Sequence, residues 1–143
     1  MAALTISALR QRIATQLTAL SGWTQSPFDH ERLVTAGTPA QHLQYALEVS
    51  VSERSTSPHS SDAGALVDTT VIVHWLYRRN QKDHATTLDS ALDAEQNMIL
   101  KVLATSKTSL AIAWVRSDRV LEGDWFVGET EFIATHAIAF LAA

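Results

Sequence analysis

The stretch Val67 to Ala104, VDTTVIVHWLYRRNQKDHATTLDSALDAEQNMILKVLA, decides the fold. Over Val67 to Arg78, Val67, Thr69, Val71, Val73, Trp75 and Tyr77 fall on one face, and Asp68, Thr70, Ile72, His74, Leu76 and Arg78 on the other. That alternation is the period of a β-strand. Both faces are apolar in the middle, so the strand is expected inside a sheet, or with its second face against another subunit. Past Arg78, Arg79 and Lys82 the period changes to that of a helix, starting at Thr86 or Thr87, with Thr86 and Asp89 at the spacing of a capping box. Leu88, Ala91, Leu92, Met98 or Ile99, Val102 and Leu103 form its expected buried stripe, with Asp93, Gln96 and Lys101 outward. A strand that feeds such a helix implies a helix laid across the face of a sheet.

Working outward towards the N-terminus, Thr5 to Ser21 carries Ile6, Leu9, Ile13, Leu17 and Leu20 at helical spacing, with Thr5 as N-cap and Gly22 to end it. Trp23 to Gln41 loses periodicity and reads as a loop punctuated by Pro27, Gly37 and Pro39. Leu43 to Glu53 alternates again, with Leu43, Tyr45, Leu47, Val49 and Val51 on the expected inner side. The segment ERSTSPHSSDAGA, Glu53 to Ala65, has no large apolar anchor. A loop of that length is either used by a partner or simply tolerated.

Towards the C-terminus, Leu110 to Val115 is a third strand, and Ser117-Asp118 and Glu122-Gly123-Asp124 both look like turns. The preferred reading puts the hairpin at the second and an irregularity at the first. Trp125 to Leu141 is the last strand, with Phe126, Phe132, Ala134, Ile138 and Phe140 in one phase and Gly128 marking a bulge.

Composition narrows the function. A chain of 143 residues suits a single domain, and 46% hydrophobic with 18% charged residues excludes a disordered one. The net charge of −4 opposes non-specific nucleic-acid binding, which depends on Lys and Arg releasing counterions from phosphates. There is no cysteine, so disulfides, thiolate chemistry and the commonest structural zinc sites are out of reach. The start of the chain lacks a basic leader with an apolar segment, and no window approaches the roughly 18 apolar residues of a membrane span. No membrane partner is expected.

No catalytic signature emerges. Asp29, His30 and Glu31 are adjacent, so they share no face and read as solvated loop. Asp89 and Asp93 lie four apart on a helix without a third ligand, as expected of an exposed first turn. His74 reads as a hydrogen-bonded histidine on a partly covered sheet. An enzyme or small-ligand binder would require several of His74, His136, Glu48 and Glu131 to converge, and their spacing gives no reason for it. No cofactor or metal is expected.

The order helix, strand, long loop, strand, helix, strand, strand predicts an α+β fold: a four-stranded, mainly antiparallel sheet with two helices packed on one face. With the strand LQYALEVSV, the loop ERSTSPHSSDAGA, the strand TTVIVHWLYRR, the helix from Thr87 to Ala104 and the closing GDWFVGETEFIATHAI, the chain resembles the tail terminator proteins of long-tailed bacteriophages over nearly its whole length. Related neck and tail-completion proteins share much of this look, and another neck, head-completion or tail-completion protein, or a module of another secretion or injection tube, is the alternative reading.

The resemblance implies a homohexameric ring that caps the tail tube, stops its polymerisation and offers a surface to a head-completion or connector protein. It places the chain in the virion tail or neck, and in the host cytoplasm during assembly, with DNA only as transiting cargo. On this reading Ile72, His74 and Leu76 are the expected subunit contact. Glu53, Arg54, Ser57, Pro58, His59 and Asp62 belong to a loop that orders against a partner. Arg78, Arg79 and Lys82 are candidates for basic contacts to the lumen or a partner, or else an ordinary solvated turn.

Overall fold

The computed structural model describes residues 3–26, 42–55, 64–107 and 110–139. Helix α1 spans Ile6–Thr18 and strand β1 spans Thr24–Gln25. Strands β2 and β3 follow at Gln44–Arg54 and Gly64–Arg78, then helix α2 at His84–Leu103. Strands β4 and β5, Leu110–Glu122 and Trp125–Ala139, close the chain. The fold is α+β, with a five-stranded mixed sheet in the order β1-β2-β3-β5-β4. The expected four strands are thus one short. Where α1 ends, Thr24 and Gln25 are set parallel to Gln44 and Tyr45, and a two-residue strand is too short to leave a period in the sequence.

The centre of the sheet is long and regular. β3 and β5 pair antiparallel without interruption from Gly64↔Ala139 to Arg78↔Trp125. β4 pairs antiparallel with the far side of β5, so β3 and β4 run the same way, joined by the α2 crossover, with β5 between them. The β4–β5 hairpin turns at Gly123-Asp124, and Gly123 at φ 58° occupies a first turn position that other residues adopt only with strain. The hairpin therefore uses the second of the two turn signals. The irregularity at the first is a register shift between Trp114 and Arg116, which leaves Val115 as the extra residue. β4 runs on through Ser117-Asp118 instead of stopping at Val115.

One face of the sheet carries both helices. Leu9, Ile13 and Leu17 of α1 and Ala91, Met98, Ile99 and Val102 of α2 share a core with Tyr45, Val71, Val73, Trp75, Leu110, Phe126, Phe132 and Ala134. Each such aliphatic side chain contributes about 1.5 to 3 kcal/mol before chain entropy is subtracted. The inner phases of β3 and β5 are those expected as far as Ile138, with Phe140 and Leu141 outside the described residues, whereas Gly128 is no bulge: it pairs in register with Trp75. In β2 the register shift falls between Val49 and Val51. The shift turns Val51 to the face away from the helices and brings Ser52 inward against Thr69.

The helix ends differ from expectation in detail. α1 is capped by Thr5, whose hydroxyl accepts from the Ala8 amide at 3.1 Å, but it stops at Thr18, short of Gly22. α2 begins earlier than Thr86, after a 3-10 turn at Gln81–Asp83, because Asp83 rather than Thr86 accepts the capping bond, from the Thr86 amide at 3.4 Å. Leu43, expected as the first strand residue, has φ 58° and forms the corner before β2, with its amide donating to the Leu76 carbonyl at 2.8 Å.

Two polar arrangements lock the core. The Trp75 indole N–H donates to the Thr130 hydroxyl at 3.0 Å. His136 is fully buried, and its Nδ1–H donates to the Leu4 carbonyl at 2.8 Å, which leaves Nε2 to accept from the Thr69 hydroxyl at 2.8 Å. That pair of bonds ties the segment before α1 to β5, beside the bond from the Leu4 amide to the Ala137 carbonyl.

Candidate functional site

The face turned away from the helices is where Ile72, His74 and Leu76 were expected to meet a neighbour. Leu76 is 0% exposed and packs in a small second cluster with Ala46, Trp125 and Val127. His74 is 7% exposed, and its Nε2–H donates to Glu48 Oε1 at 2.9 Å, with the Glu129 carboxylate 3.6 Å from Nδ1. Only Ile72 of the three keeps partial exposure. Leu76 and His74 are thus covered within the chain, which corrects the expectation of a free contact made by these two, while Val51 and Val120 on the same face are more than half exposed.

The expected partner loop also begins later than the sequence implied. Glu53 and Arg54 are the last residues of β2, paired with Asp68 and Val67, and Gly64 and Ala65 already belong to β3. Ser57, Pro58, His59 and Asp62, together with Asp29, His30 and Glu31, lie outside the described residues.

Arg78 ends β3, Arg79 follows it and Lys82 sits in the 3-10 turn. The Arg79 amide donates to the Asp124 carbonyl at 2.7 Å, which ties this corner to the β4–β5 hairpin. Arg78 and Arg79 line a shallow groove with His42, Asn80, Gln81 and Asp124. His42 accepts the Arg78 amide on Nδ1 at 3.1 Å. Its pKa is lowered, first by partial burial and then by the Arg78 charge.

Of the four residues an enzyme would have to bring together, the structure joins His74 to Glu48 and separates His136 from them. His74, Glu48 and Glu131 lie on the face away from the helices, and His136 is buried on the helix side in the bonds to Leu4 and Thr69. Among the described residues, no three histidine or carboxylate side chains are grouped as metal ligands would be, and no helix is long and apolar enough to cross a membrane.

What the sequence reading did not place is β4 at the edge of the sheet, with apolar side chains exposed along it. Trp114, Val115, Val120 and Leu121 are between 44% and 55% exposed, on an outer strand whose far side has no strand partner among the described residues. Trp114 lines, with Leu92, Ile99, Leu100 and Leu103 of α2, an apolar groove beside the edge. Arg119, which also lines the groove, reaches Glu95, which is 1% exposed on the inner stripe of α2, and donates from both Nε, at 2.9 Å, and Nη2. Those bonds raise the Arg119 pKa. The available signal was the unbroken apolar run LAIAWV: with small or apolar residues in both phases, it fits a strand with neighbours on both sides better than an edge.

No protein-family model matches the chain, and no curated protein matches it.

Proposed function

We propose that the chain is a structural assembly protein of the phage tail-terminator type, a ring-forming subunit that caps the end of a tail tube, halts its growth and provides the joining surface for a head-completion or connector protein. The observation that carries this reading is the β4 edge, where exposed aromatic and aliphatic side chains are concentrated along a strand of 13 residues instead of around an enclosed pocket. Such a surface acts by association. Head-to-tail ring closure needs two unlike patches on each subunit, and the sheet has two unlike margins, β4 at one side and β1 with β2 at the other. With Leu76 and His74 enclosed, these margins replace the sheet face as the contact this reading uses.

A homohexamer of so acidic a chain would repel DNA passing through it, so Arg78, Arg79 and Lys82 are assigned to local contact with that cargo or with a partner. The role is binding without turnover and calls for no cofactor. Electron microscopy of purified chain mixed with growing tail tubes tests it. Rings at tube ends and arrested, shorter tubes are expected. Tubes that elongate normally with bare ends would sink the proposal.

A further inference from the structure

Strand β4 has a chemical symmetry along its own length. Its centre is Arg116-Ser117-Asp118, a cation and an anion either side of a small residue, both charges exposed on the same face and 3.4 Å apart. We propose that two copies of the chain join along their β4 edges, antiparallel and about a twofold axis through Ser117, so that their sheets become one continuous sheet.

Charge complementarity selects the second copy as the occupant of this edge. Pairing about Ser117 sets Arg116 of each copy against Asp118 of the other, and the axis makes the contact twice. Counting outward, Val115 is the bulged residue and is skipped. Trp114 then lies against Arg119 of the second copy, an aromatic face beside a guanidinium, and Ile112 against Leu121. All four are on the helix side of the sheet, opposite Phe132, Gly128, Ala134 and Phe126 of β5, so sidedness is kept across the junction. Residues directly opposite in a sheet share a face, so the neighbouring registers allowed are those centred on Arg116 or on Asp118. Each of those sets a charge against itself, which leaves the register through Ser117.

This pairing stands apart from the ring reading and is tested without tail tubes. An edge held in the twofold pair is withdrawn from ring closure, so the pair is the form of the chain before it meets a tube end. Light scattering on the full chain should give the mass of two copies. Arg116→Asp alone, or Asp118→Arg alone, creates two like-charge contacts and should weaken association by more than about tenfold, to a single-copy mass. An equimolar mixture of the two variants should recover the two-copy mass, because each new carboxylate then faces a new guanidinium. The chain has no cysteine, so Ser117→Cys places one thiol per copy on the axis, where oxidation should cross-link it to its twin. A wild-type chain of single-copy mass overturns the proposal, as does a mixture that stays dissociated. A ring whose mass neither variant changes, or a Ser117→Cys chain that does not cross-link, overturns it equally.

Discussion

The Trp75 indole lies directly over Gly128 on the neighbouring strand, so close that a single added methyl group at Gly128 would overlap its six-membered ring. The largest side chain of the core is thereby seated against bare backbone, and the Thr130 hydroxyl fixes its orientation.

Gly128→Ala therefore has nowhere to put its methyl group unless the indole moves and gives up the bond to Thr130. We expect a loss of about 1 to 3 kcal/mol, typical of forcing an extra methylene into a packed core. Urea unfolding should show a lower midpoint with an unchanged slope. In a Trp75→Phe background, where the smaller ring vacates the space over Gly128, the added cost of Gly128→Ala should shrink. Equal costs in both backgrounds would mean that overlap with the indole is not the cause.

The same pair shows what a sequence can and cannot disclose. Alternation in β3 and β5 was readable because one face of each is buried under helices, so Val71, Val73, Trp75, Phe126, Phe132 and Ala134 repeat every second residue. A glycine within such a pattern signals only that something small is needed; that the cause is Trp75 depends on a register that brings together Trp75 and Gly128, far apart in the chain, which periodicity does not encode. Leu76 looked available for the same reason, since burial of the second face depends on which residues of β2, β3 and β5 stand side by side. The edge position of β4 was illegible because it depends on which strands pair, whereas the irregularity expected near Ser117-Asp118 is present as the Val115 bulge inside a continuous strand.

Glu95 interrupts an apolar stripe, and only Arg119, on a strand that periodicity ended at Val115, accounts for it. Arg119→Met should destabilise the chain because it leaves a buried carboxylate unpaired. Arg119 is itself over a third exposed, so water softens the loss, and about 1 to 3 kcal/mol is expected instead of the larger cost of breaking a fully buried pair. The double variant Glu95→Met with Arg119→Met should recover most of it, as an apolar pair on an apolar stripe. A double variant no better than Arg119→Met in urea unfolding would show that the ion pair itself is needed.

Acid should loosen the corner where β2 begins. Because burial and the Arg78 charge hold the His42 pKa below its ordinary value of 6.5, the folded chain favours the neutral imidazole, whose Nδ1 accepts the Arg78 amide. The unfolded chain binds the proton more readily, so the stability His42 contributes is present above about pH 6.5 and is lost as pH falls through the lower folded value. An NMR titration should place the His42 midpoint below 6.5 and, in Arg78→Met, move it up part of the way only, since burial is the larger cause. A midpoint at or above 6.5 in the unaltered chain would contradict this.

Leu76 and Val120 separate the interior of the chain from its margin. Leu76 is enclosed by Ala46, Trp125 and Val127, and its carbonyl receives the Leu43 amide at the corner into β2, so Leu76→Asp buries a charge with no partner. Such a group costs several kcal/mol or forces the site open. Loss of cooperative unfolding, or a large fall in its midpoint, is therefore expected whatever the state of association. Val120 is more than half exposed on β4, and Val120→Asp should alter stability by no more than about 0.5 kcal/mol. Placed beside Asp118 on the same face of the edge, the added carboxylate should instead reduce association, which light scattering reads directly. The informative result is the crossed one: a Leu76→Asp chain that folds normally but no longer associates would return the intersubunit contact to the sheet face and take it away from β4.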